Sequence, residues 1–126
     1  MLIEAKRKEI YDTLIQQDIL SYLKATPEVF ELITAADVLP YFGALETLFE
    51  YVTQRLTKAG LFIFTHEICA SGDWQLQKTA RFAHHSNYIH TLAKQHQLDI
   101  LDQHQYIARK HHDSDLPVML YTLQRT

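Results

Sequence analysis

A chain of 126 residues, 47% hydrophobic and 21% charged, is long enough for one globular core and too short for two. Its formal net charge of −3 supplies no basic field for a phosphate backbone, which argues against nucleic acid as the main partner. The single Cys69 cannot close an internal disulfide, and no apolar run reaches membrane-spanning length or follows the charged start of a signal peptide, so the expectation is a soluble protein of a reducing cytoplasm with no membrane partner.

Residues 1–25 place Ile3, Ile10, Tyr11, Leu14, Ile15, Ile19, Tyr22 and Leu23 between charges at helical spacing, which predicts an N-terminal helix. Pro27 breaks it. Residues 29–36 form a short apolar run suited to a strand covered on both faces, and it ends at Asp37. After a loop holding Pro40 and Gly43, residues 44–58 repeat apolar groups at Leu45, Leu48, Phe49, Val52 and Leu56, an amphipathic helix closed by Gly60. Residues 61–65 then read as a second buried strand, completing a parallel βαβ unit with a right-handed crossover.

From Cys69 to Lys78 the pattern becomes polar, a connection too long for a tight turn and of the kind that often carries function. Residues 86–96 read as a helix with Ser86 as N-cap and Tyr88, Ile89, Leu92 and Ala93 facing inward. Two strands at 99–108 and 117–124, joined by the polar 110–115, predict a closing antiparallel hairpin.

The stretch "FELITAADVLPYFGALETLFEYVTQRLTKAGLFIFTHE" resembles the middle of a class I S-adenosylmethionine-dependent methyltransferase domain of the TPR-associated predicted methyltransferase family. "LQKTARFAHHSNYIHTLAKQHQLDILDQHQYIARKHHDSDLPVMLYTLQR" is similar to that family's end, and "MLIEAKRKEIYDTLIQQDIL" resembles the segment after its second strand. The resemblance implies an α/β fold: a truncated Rossmann-like methyltransferase sheet, with a parallel βαβ core, an N-terminal helix and a C-terminal antiparallel hairpin. It also implies S-adenosyl-L-methionine as cofactor. The family's first strand, its Gly-rich loop and the acidic end of its second strand would lie before Met1, however. The residues agree, since Gly43, Gly60 and Gly72 stand too far apart to build a loop that lets backbone approach a ligand closely.

On this resemblance Asp18 with Ile19 and Asp37 face the cofactor, Glu67 and Arg81 face the substrate, and His84 and Tyr88 are the catalytic candidates. A histidine there could take a proton near neutrality, because its ordinary pKa is about 6.5. Three of them have a blander alternative. Asp18 could be a solvated helix side chain, Asp37 a cap on loop backbone, and His84 a structural histidine at a helix start. Where the family often has Gly-Asp before the first crossover helix, this chain has Gly43-Ala44, which leaves the acceptor open. Methyl transfer is a direct displacement, so neither a triad nor paired carboxylates is required, and neither is visible.

The remaining expectations are a methyltransferase-like chain unable to methylate alone, an enzyme completed by upstream sequence or another chain, and a metal-binding protein. The last would use His84-His85 or His111-His112 with Asp113 and Asp115. Removing the first strands would bare the edge of the strand at 29–36, which predicts a homodimer.

Overall fold

The computed structural model describes residues 19–36, 38–111 and 114–126. Helix α1 (Ile19–Ala25) leads into β1 (Phe30–Ala35), and a short 3-10 turn (Leu39–Tyr41) precedes helix α2 (Glu46–Arg55). Then follow β2 (Leu56–Ile68), the short β3 (Trp74–Leu76) and β4 (Phe82–His84), helix α3 (Ser86–Gln95), β5 (Leu98–His111) and β6 (Ser114–Arg125). Among the described residues the six strands form one sheet in the order β3-β4-β2-β6-β5, with β1 also on β2.

β1 and β4 share one edge of β2, both parallel to it: β1 pairs along Leu61–Phe64 and β4 at Glu67 and Ile68. β6 runs antiparallel along the other edge from Leu61 to Glu67, and β5 closes the hairpin. The architecture is thus mixed α/β with the expected parallel βαβ core and antiparallel hairpin.

Strand alternation sorts the residues. Phe62, Phe64 and His66 of β2, Tyr121 and Leu123 of β6, and Ile33 and Ala35 of β1 all lie on the face that receives the helices. There Phe49 of α2 meets Phe62 and Phe64 edge-on, both at 5.7 Å between ring centroids, contacts worth about 0.5–1.5 kcal/mol each beyond their burial. Leu48 and Val52 of α2, and Ile89, Leu92 and Ala93 of α3, complete the core, as their helical spacing predicts.

Several sequence expectations need correction. Among the described residues the strand, which begins at Phe30, is not covered on both faces: Leu32 is 53% exposed, because the described helices all cover the other side. α2 stops at Arg55 rather than at residue 58, since Leu56 already has extended backbone and joins the sheet opposite Phe30. The left-handed turn needed next falls on Ala59, with φ 65°, ahead of Gly60. The 69–78 stretch is not wholly irregular, as it contains β3, which pairs with β4 beyond it. Ser86 does not cap α3; the cap is His85, whose Nδ1 accepts from the Asn87 N–H. An imidazole lone pair satisfies one orphan donor of the first turn as a hydroxyl would. Of the predicted N-terminal helix, residues 1–18 lie outside the described residues.

Candidate functional site

Because β1, β2 and β4 are mutually parallel, their carboxyl ends collect at one edge of the sheet, the place where ligands bind in open α/β folds. Four of the predicted site residues meet there: Glu67 near the end of β2, Arg81 just before β4, His84 at its end and Tyr88 in the first turn of α3. Asp18 and Asp37 lie outside the described residues. Ile19 opens α1 and packs against the core.

Glu67 and Arg81 do come together. Arg81 Nε donates to Glu67 Oε2 at 2.6 Å, and Gln77 Nε2 donates to Oε1 at 2.8 Å, so both carboxylate oxygens are engaged. The carboxylate is 4% exposed as a residue, and Gln77 also donates to the Arg81 carbonyl. The network therefore clasps the turn at 77–81 onto the end of β2. Gln77 escaped the sequence reading, because nothing in its spacing marks it until the chain folds back.

His84 and Tyr88 stack at 6.5 Å and 12° between ring planes. His84 Nε2 lies 2.8 Å from the Phe42 carbonyl oxygen and 3.0 Å from that of Gly43, so this nitrogen carries the hydrogen. The Tyr88 hydroxyl accepts from the Leu45 N–H at 2.8 Å and donates to Glu46 Oε2 at 2.7 Å, which ties down the first turn of α2. Both rings thus reach back from the β4–α3 junction to hold residues 42–46, the entry to the crossover helix. Gly43 is part of the same packing: a Cβ there would meet the Trp74 ring at 2.9 Å and Phe82 at 3.1 Å.

The electrostatics follow from burial. His84 is fully buried, which pushes its pKa below the ordinary value and keeps it neutral at pH 7. Burial likewise raises the Tyr88 phenol well above its usual range. Cys69 is buried, and desolvation raises its thiol pKa, the opposite of an activated nucleophile. The sequence reading also missed His66, 1% exposed, whose burial lowers its pKa to about 4. Its signal was legible: Phe62, Phe64 and His66 alternate on one strand face, so a histidine had to enter the core.

Among the described residues no group of three or more His, Cys, Asp or Glu is placed to hold a metal ion, and His112 and Asp113 lie outside them. No described helix is long and apolar enough to cross a membrane.

No protein-family model and no curated protein matches the sequence. Solved structures do. The N-methyltransferase NodS of Bradyrhizobium japonicum WM9 in complex with S-adenosyl-L-homocysteine superposes with a TM-score of 0.68 at 21% identity over 96% of this chain. The O-methyltransferase of a trans-AT polyketide synthase multienzyme of Brevibacillus brevis, also with S-adenosyl-L-homocysteine, gives 0.71 at 13% identity over 98%. The chain shares the α/β fold of these two methyltransferases. It spans 59% of the NodS chain and 53% of the other. The [4+2]-cyclase SpnF shares the fold as well, with a TM-score of 0.70 at 10% identity over 98% of this chain and 61% of its own. One architecture therefore carries more than one chemistry, and the fold alone does not name the reaction.

Proposed function

We propose that this chain is a methyltransferase-like module that carries the acceptor side of the fold and does not methylate on its own. The observation behind this reading is the use of its three glycines. Gly43 is filled by Trp74 and Phe82, Gly60 lies against the Thr57 and Phe30 carbonyls, and Gly72 supplies a left-handed turn with φ 71°. A backbone cradle at a helix N-terminus needs closely spaced glycines free of such packing, so the described residues do not fit S-adenosyl-L-methionine as its holder.

In this reading Glu67, Arg81, His84 and Tyr88 act by positioning. Their polar groups already hold residues 42–46 and 77–81, the two loops that would border an acceptor. A fully buried His84 reaches no acceptor from solvent, so proton transfer is not assigned to it. The fold likeness supports a second reading, in which upstream sequence or another chain completes an active enzyme for a small-molecule or protein acceptor. Asp18, Ile19 and Asp37 are the residues that this second reading assigns to the cofactor. The open side of β1, with Leu32 exposed among the described residues, supports a homodimer as the form in solution.

Isothermal titration of S-adenosyl-L-methionine and S-adenosyl-L-homocysteine into the purified 126-residue protein tests the first reading. The expected result is no saturable heat. Saturable binding at micromolar concentration would overturn it and support the second.

A further inference from the structure

Among the described residues, three buried polar atoms have no hydrogen-bond partner: His66 Nε2 on β2, His84 Nδ1 on β4 and Tyr121 Oη on β6. Their residues are 1%, 0% and 0% exposed. Register puts them on the helix-facing side of adjacent strands, since Phe64 pairs with Tyr121 and Ile68 with His84. The rings adjoin. His66 stacks on Tyr121 at 5.6 Å and meets His84 edge-on at 6.1 Å, while His90 and Tyr88 of α3 close over Tyr121 and His84. Buried polar groups are rarely left unpaired, and several together call for an explanation.

The second nitrogen of each imidazole decides what the first can do. His66 Nδ1 lies 2.9 Å from the Glu67 carbonyl oxygen, and His84 Nε2 lies against the carbonyls of Phe42 and Gly43. Carbonyl oxygens only accept, so these nitrogens carry the hydrogens; the His84 carbonyl also bears on the His66 ring but makes no hydrogen bond to its Nε2, which leaves the opposite nitrogens as bare lone pairs. Tyr121 keeps its proton, because burial raises its pKa, and can donate. Ser86 lies near enough to moderate that rise, yet the phenol oxygen has no partner within hydrogen-bond geometry. The cluster therefore offers two acceptors and one donor.

We propose that His66, His84 and Tyr121 form an internal solvent site for a single water molecule, which donates to His66 Nε2 and His84 Nδ1 and accepts from Tyr121 Oη. One water supplies two hydrogens and takes one, which is the complement of this set, and waters buried in proteins typically make about three hydrogen bonds. A metal ion fits less well, because binding through Tyr121 would require the phenolate that burial disfavours. The water links β4, β2 and β6 beneath α3 and orients the imidazole that holds residues 42 and 43. The site does not depend on the methyltransferase reading.

Water oxygen-17 and deuteron magnetic relaxation dispersion counts long-lived internal waters, and long-range proton–nitrogen spectra read histidine tautomers. The wild-type protein is expected to show His66 protonated on Nδ1 and His84 on Nε2, and the dispersion amplitude should fall by one water in Tyr121→Phe and in His66→Leu. Tyr121→Phe is nearly isosteric, and the wild-type tautomers provide a reading that needs no variant. An unchanged amplitude in a folded Tyr121→Phe protein, the opposite tautomer at either histidine, or a stoichiometric metal by elemental analysis would overturn the proposal.

Discussion

Acidification probes the buried imidazoles directly. His66 titrates at about 4 in the folded chain, and burial is the main cause; the neighbouring His84 and His85 charges push the same way, while the Glu67 and His84 carbonyls oppose. Unfolded, the same side chain takes a proton near 6.5. Below that pH the unfolded state binds a proton the folded state refuses, so stability is fully present above about pH 6.5 and is lost as pH falls toward 4. A drop from 6.5 to about 4 amounts to roughly 3 kcal/mol from His66, at about 1.4 kcal/mol per pH unit. His84, lowered for the same reason, adds in the same direction. Against a typical domain stability of 5–15 kcal/mol that loss is large. Urea unfolding of wild type and of His66→Leu, followed by circular dichroism between about pH 7.5 and pH 4.5, measures it. The wild-type midpoint should fall steeply below about pH 6.5, and the variant should be less stable at neutral pH with a shallower slope. Parallel slopes in the two proteins would refute the argument that a buried neutral imidazole sets the acid limit.

Glu67→Gln removes the charge that receives Arg81 and should cost about 2–4 kcal/mol, with new proteolytic cleavage between residues 69 and 81. Tyr88→Phe leaves the buried Leu45 N–H and Glu46 without their hydroxyl, an expected loss of about 1–3 kcal/mol read by thermal melting, with faster amide exchange at Leu45. Leu32→Lys places a charge on the open side of β1; if that side forms the dimer, sedimentation equilibrium should show a wild-type dimer and a variant monomer. A wild-type monomer would end the dimer proposal.

The parallel strand-helix-strand unit, the inward faces of α2 and α3, and the closing hairpin were legible along the chain. Each rests on a local period, 3.6 or 2 residues, that hydrophobic burial imposes on sequence. Phe49, Leu92 and Tyr121 sit in the core for that reason. Contacts between distant segments were not legible. That Tyr88 would cap a helix 42 residues earlier and that Gln77 and Arg81 would grip Glu67 depend on loops closing in space. The same closure set the His84 ring, buried, against two backbone carbonyls, contacts that its place in the sequence does not announce. Sequence alone determined which residues turn inward; tertiary structure decided which polar groups meet there, since hydrogen bonding is set by ångström-scale approach between segments that no local pattern encodes.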